Sequence, residues 1–259
     1  MVMGCLRPAI CAGLVGLVYS HRPWYLFLMD EIQQRWLYAL SATMVSINPG
    51  AGYLEPGFYA DTSPIDLDCS WGINDREQLL GMLSMADNGH AVHLNEAYRQ
   101  WARCLPSEWQ PLLQSLGARE RALYEFARRT FGACGEGGIH AWDLGRMGFL
   151  LRCGLRNQWI SLSESLWLHW RLALRARHHY GSWGTYLNGF LTGYVFWRCE
   201  KSPAELLHRE LALRAACENT QVIVRTLAKA AASLLEPLPW DLPLEPLPRP
   251  ESLGVFEWS

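Results

Sequence analysis

The chain has 259 residues, of which 50% are hydrophobic and 19% charged, with a net charge of −2. It is long enough to bury a sizeable core, as one large or two small domains, and too apolar for intrinsic disorder. Its near-neutral balance gives no general attraction to nucleic acid or to an anionic membrane. The eight cysteines, at 5, 11, 69, 104, 134, 153, 199 and 217, are scattered, with no Cys-x-x-Cys and no Cys/His cluster at zinc spacing. They read as buried free thiols of a reducing compartment, and some would have to pair if the chain were exported.

Residues 1–29 read as an N-terminal extension. Arg7 precedes an apolar run, Ala9 to Tyr19, and Val18-Tyr19-Ser20 has residues a signal peptidase accepts. That run is too short to span a bilayer. From Asp30 a clean amphipathic helix begins, with Ile32, Trp36, Leu37 and Leu40, so Met29 is preferred as the natural start and residues 1–28 are expected to be dispensable for the fold. Asn48 to Ile65 is a loop by its Asn-Pro-Gly and Glu-Pro-Gly breakers. In Trp71-Gly-Ile-Asn-Asp-Arg-Glu77, Asn74 and Glu77 have capping-box spacing and predict a helix running to about Ala86. Short helices are expected over His90 to Trp101 and Trp109 to Leu116, then a longer one over Arg119 to Phe131 with Leu123, Phe126 and Ala127 inward. Gly132 to Gly138 is glycine-rich but lacks Gly-Lys-Ser/Thr and a preceding strand, so it reads as a flexible joint or partner-adapting loop rather than a phosphate cradle.

Ala141 to Trp197 is the centre of the chain, three apolar helices in succession. In the first, Asp143 and Arg146 lie three apart on one face and are expected to form a buried pair among Trp142, Met147, Phe149, Leu150 and Leu151. It should stop near Gly154, with Leu155 to Ile160 as a linker. Ser161 and Glu164 make a second capping box, and the helix they start, Leu162 to His179, is apolar on several sides, which points to a central element. Its basic end, Arg171, Arg175, Arg177, His178 and His179, meets the negative pole of the helix dipole. That reading is preferred to an anion or nucleic-acid patch, because no wider basic surface is visible in the sequence. The third helix, Trp183 to Cys199, carries Tyr186, Phe190, Tyr194, Phe196 and Trp197, with Gly189 and Gly193 on one side. Each interior glycine costs about 1 kcal/mol against alanine, so close approach of another helix, the second in first instance, is expected there.

After Ser202-Pro203 a helical segment runs to about Leu235, divided near Asn219-Thr220, and Glu236 to Pro250 holds six prolines and Trp240. No alternating strand series occurs. The expected fold is all-α: a compact multi-helix globular domain over 30–240, with an extended Pro-rich tail over 241–259.

The segments Trp71-Gly-Ile-Asn-Asp-Arg-Glu77, Gly89-His90, Ala141-Trp-Asp-Leu-Gly-Arg146, Ser182-Trp-Gly-Thr-Tyr-Leu-Asn-Gly189 and Phe196-Trp197 together resemble the YbeU-like family of bacterial domains of unknown function, over roughly Asp30 to Trp240. The resemblance implies a mostly helical, bacterial, cytoplasmic protein, and it brings no reaction or catalytic residues. The residues singled out are Trp71, Glu77, Trp142, Asp143, Arg146, Trp183, Tyr186 and Trp197. The location becomes periplasmic if residues 1–20 are a signal peptide.

Chemistry is sparse. His90, His93 and Glu96 share a helical face suited to a transition metal, but surface histidines are the commoner meaning of that spacing and no metal or cofactor is expected. There is no Gly-x-Ser-x-Gly elbow and no cysteine in a catalytic context. The expected function is therefore protein interaction, for instance as an immunity or adaptor partner of a secreted toxin, with another protein as partner and no nucleic acid. A hydrolase using Asp143, His140 and Glu136 is the alternative, and an exported or membrane-associated protein the third.

Overall fold

In a computed structural model, the described residues are 31–48, 50–216, 218–230 and 234–254. The start at Met29 and the signal-like run fall outside them. The helices are α1 (Glu31–Ala39), α2 (Ala42–Val45), α3 (Asp68–Trp71), α4 (Arg76–Met82), α5 (Met85–Asn88), α6 (Val92–Arg103), α7 (Pro106–Ser115), α8 (Ala118–Cys134), α9 (His140–Arg156), α10 (Leu162–His179), α11 (Trp183–Cys199), α12 (Ala204–Ala215) and α13 (Glu218–Ala230). The fold is all-α. Among the described residues extended pairing is limited to two isolated bridges, Ala51 with Tyr59 and Leu67 with Ile73, and no helix is long and apolar enough to cross a membrane.

The central element is α9, not α10 as the apolar spread suggested. Thirteen of the 17 residues of α9 are buried, so it has almost no solvent face. It lies between α10 and α11 and also touches α2, α4 and α5. The extra apolar sides of α10 are used by α1 and by the C-terminal tail, where Arg249 sits over the Trp167 ring. The glycines of α11 divide between two neighbours: Gly193 approaches α9, whereas Gly189 sits against Tyr180, the residue that closes α10, and the turn before α9. A Cβ on Gly193 would collide with the Trp142 side chain, and one on Gly189 with the Tyr180 hydroxyl and the Gly138 carbonyl. A second core, built from α6, α8, the far half of α11 and α12, includes Leu94, Tyr98, Phe126, Phe196, Leu207 and Leu211.

Several boundaries moved, each for a local reason. Gly154 is buried inside α9 under the Leu79 side chain, and the helix runs on to Arg156; the left-handed residue after it is Gln158, at φ 60°. The cap of α4 is Asp75, whose carboxylate accepts the Gln78 amide at 2.8 Å, while the Asn74 backbone amide donates to Gln78 Oε1 at 2.7 Å. Asn74 and Glu77 are thus each one position off the functional pair, and Glu77 is exposed. The helix expected to reach Ala86 is split after Met82. Gly132 does not end α8, and Gly137 and Gly138 are buried against Tyr180 and Tyr98 rather than forming a flexible joint. In the long C-terminal helical segment α12 ends at Ala215 and α13 begins at Glu218, so the division falls ahead of Asn219-Thr220.

The capping box of α10 is present as expected: the Glu164 amide donates to Ser161 Oγ at 3.3 Å and the Ser161 amide to Glu164 Oε2 at 2.7 Å. Arg76 and Ser252 add bonds to Oε1 at 2.5 and 2.8 Å. Burial works against this carboxylate, but the bonds from Arg76, Ser161 and Ser252 outweigh it and hold its pKa at about 2. A folded pKa below the unfolded one stabilises the fold above the unfolded value and loses that contribution as pH falls through the folded value. Glu164→Gln should therefore cost roughly 2 kcal/mol near neutral pH, and the gap to the parent protein should close between about pH 4.5 and 2. Urea titrations of both proteins across that range check this; a pH-independent gap would contradict it.

The tail is pinned by side chains. Trp36, Trp183 and Trp240 form a three-ring cluster with centroids 4.8 to 5.4 Å apart. Their indole N–H groups donate to the carbonyls of Pro239, Leu238 and Tyr180, at 3.0, 2.7 and 2.9 Å. Gln33 and the Glu245 backbone exchange two bonds of 2.9 Å, which supplies the ladder that the prolines cannot make. Trp240→Ala should cost about 2 kcal/mol, less than a fully buried tryptophan because the ring is half-buried. It should also release the tail to proteolysis. An unchanged melt and cleavage rate would show the tail to be unattached.

Candidate functional site

Four of the eight singled-out residues converge. Trp71 ends α3, which Gly72 closes in the left-handed region at φ 65°. Trp142, Arg146 and Phe149 follow one another along a single stripe of α9, at the i, i+4 and i+7 positions, and Trp197 comes from α11. Together they line an open cleft of about 560 Å³, with Asn48, Asp66 and Ser70 as polar lining residues. The Arg146 guanidinium lies 4.7 Å from the Trp71 ring and 5.4 Å from the Trp142 ring, a cation set between two indoles. Trp142 is 2% exposed and packs on Phe190 and Trp197, whereas Trp197 is 38% exposed.

The electrostatics of this cleft are unbalanced. Arg146 Nη1 is 3.6 Å from Asp143 Oδ1, an ion pair too long for a hydrogen bond, and both atoms are buried without a hydrogen-bond partner. The expected pair thus exists, but loosely. The other carboxylate oxygen, Asp143 Oδ2, accepts the Ala91 amide at 2.8 Å, next to the start of α6. Burial raises the Asp143 pKa and lowers that of Arg146. Trp142 Nε1 is also buried without a partner.

The remaining singled-out residues do other things. Trp183 and Tyr186 belong to the core beside Trp240, and the Tyr186 hydroxyl donates to the Leu40 carbonyl at 2.8 Å. Glu77 is not part of the cleft. His90 Nδ1 lies 2.6 Å from Glu200 Oε2, and Glu96 pairs with Arg99. Among the described residues no group of three could hold a metal ion. Glu136 and His140 line a separate cavity that Asp143 does not reach. Sequence reasoning missed Arg152, fully buried and bonded to backbone carbonyls of the 52–55 loop, and the fully buried His169. The available signal was their place within apolar helical stripes, where a charged or titratable side chain needs a partner.

A sequence profile of the family described as "Protein of unknown function (DUF1266)" matches residues 66–240. The chain belongs to this family. All four cleft residues fall within the matched span. Two proteins of Escherichia coli (strain K12), both described as uncharacterized, are similar to it. YbeR is 41% identical over 189 residues, covering 72% of this chain and 80% of its own. YbeU is 37% identical over 221 residues, covering 82% and 92% respectively. No solved structure matches this chain. The resemblance read from the motifs is therefore correct.

Proposed function

We propose that the chain is a helical protein-interaction domain whose recognition site is the tryptophan cleft, and that the cleft takes a partner segment pairing an apolar side chain with a carboxylate. The observation that carries this reading is Arg146, a guanidinium held between two indoles whose nearest carboxylate is too far to hydrogen-bond. Tryptophan and arginine in a largely desolvated pocket are the side chains that anchor interfaces, and a carboxylate from a partner would complete charge-assisted bonds that Asp143 leaves unmade. An immunity or adaptor partner of a secreted toxin is one form of such a module. The free thiols of Cys69, Cys104, Cys134 and Cys153 favour action in the cytoplasm. The hydrolase alternative draws no support from the geometry, because Asp143 is fully buried and does not line the cavity of Glu136 and His140.

Peptide display against the full chain tests the reading. Selected peptides should combine an acidic residue or free C-terminus with an aromatic or aliphatic neighbour. Their affinity should fall by about tenfold or more in Arg146→Met, the loss expected for one charge-assisted contact, and less in Arg146→Lys. Peptides without a carboxylate bias, or binding equally to Arg146→Met, would overturn it.

A further inference from the structure

The basic end of α10 does not stand alone in the folded protein. It forms one wall of an open cavity of about 670 Å³. Arg171, Arg175, His178 and His179 come from α10; Asn95 and Arg99 come from α6, His140 from the first position of α9, Glu136 from the turn before it, and Asp87 from α5. The wider basic surface that the sequence did not reveal is thus assembled from elements distant in the chain. Three arginines face two carboxylates. One of these, Asp87, is engaged by Arg175 through Nε at 2.8 Å and Nη2 at 2.7 Å. Arg99 holds Glu96 at 2.9 Å in an exposed pair, the kind a better anion displaces at little cost.

Two further features point to a ligand. The rings of His140 and His179 stack face to face, with centroids 3.7 Å apart and planes 8° from parallel. His140 Nδ1 and Arg171 Nε are buried with no hydrogen-bond partner. The positive pole of α9 at His140 offsets the negative pole of α10 at His179, so the side chains decide the sign of the site. Two parallel imidazoles direct their lone pairs side by side rather than at a common point, and three guanidiniums line the same cavity, which disfavours a metal cation.

We propose that this cavity is a binding site for a compact phosphate-bearing small molecule, with Arg99 and Arg171 supplying charge and the His140–His179 pair supplying neutral donors. The site is independent of the tryptophan cleft. Its volume suits a small polyanion. Burial first, then the neighbouring His179 and His178, lower the His140 pKa to about 3, and burial, His178 and Arg175 lower His179 to about 4. An anion beside them favours their protonated forms, so binding takes up protons and tightens as pH falls. Asp87 and Glu136 face the same space; protonating either at lower pH acts in the same direction, so the histidine contribution must be isolated by mutation.

Calorimetric titration of the full chain provides the test. Inorganic pyrophosphate should bind saturably, and Arg99→Gln and Arg171→Gln should each weaken it by about tenfold. Arg209→Gln, an exposed change on α12 outside the cavity, should not. Sulfate keeps one charge state across the useful range, and its affinity should rise several-fold from about pH 6 to about pH 4, as the solution approaches the lowered His140 and His179 values, with much of that rise absent in His140→Gln. Should His140→Gln fail to fold, the two arginine variants decide the matter alone. No saturable pyrophosphate binding, equal binding by the arginine variants and the parent, tighter binding of citrate than of pyrophosphate, or zinc binding that depends on His140 would each overturn the proposal.

Discussion

Arg152→Leu should lower the unfolding free energy by roughly 3 to 5 kcal/mol, among the largest losses for any single change in the protein. The side chain is fully buried on α9 and has no carboxylate partner. Instead Nε donates to the Glu55 carbonyl at 2.9 Å, Nη2 to the carbonyls of Glu55 and Gly52 at 2.5 Å, and Nη1 to Ser41 Oγ at 3.1 Å. The Phe58 ring covers the guanidinium at 4.8 Å. Burial lowers the Arg152 pKa to about 10, so it stays charged at neutral pH and its desolvation cost is borne by these bonds. Removing it spares that cost but leaves two loop carbonyls without donors, and the loop also holds Phe58 at φ 69°, a backbone state that a non-glycine residue keeps only under constraint. Arg152→Lys retains the charge but cannot serve three acceptors at once, so most of the loss should remain. Urea denaturation of the three proteins checks this. A loss under about 1 kcal/mol for Arg152→Leu would mean that the carbonyls had found water and the guanidinium is not what holds the loop.

The helices were legible where a local pattern fixes them. α10 and α11 begin at Leu162 and Trp183 and end at His179 and Cys199 as read from Ser161/Glu164 and from the aromatic run, because caps and periodicity are properties of neighbouring residues. What the sequence could not order was the stacking of helices. Apolar residues on several sides made α10 look central, yet α9 is, since its glycines and its buried Asp143 and Arg152 hide a surface that composition alone scores as mixed. The same limit applied to the sites. Trp71, Trp142, Arg146 and Trp197 were picked out singly as motif residues, but only the packing of α3 and α11 onto α9 places them around one cleft. The basic end of α10 was read as answering the helix dipole because Arg99 and His140, the residues that turn it into a pocket, lie 72 and 31 positions before Arg171 in the chain.

Arg146→Ala should strand Asp143 in the core, with a loss of roughly 3 to 5 kcal/mol at neutral pH, as for breaking a buried pair by removing one partner. The pH dependence of that loss distinguishes the electrostatic account from lost packing against Trp71 and Trp142. Burial already raises the Asp143 pKa with Arg146 present, the Ala91 and His90 amides and the arginine only partly opposing it. Without Arg146 the shift grows. A folded pKa above the unfolded one gives stability that is present below the unfolded value and lost as pH rises through the folded value, so the Arg146→Ala deficit should shrink on acidification as Asp143 takes a proton. Packing loss has no such dependence. Asp143→Asn keeps an oxygen for the Ala91 amide but leaves the Arg146 charge without its carboxylate, and should cost roughly 2 kcal/mol, less than Arg146→Ala because the guanidinium keeps its two indoles; Asp143→Leu orphans that amide as well and should cost more. The double change Asp143→Asn with Arg146→Met should recover part of the Arg146→Ala loss, since neither desolvated charge remains. Urea denaturation between about pH 7.5 and 4.5 decides the matter: a deficit in Arg146→Ala that stays constant over that range assigns the loss to the indole contacts and removes Asp143 from the electrostatic account of the cleft.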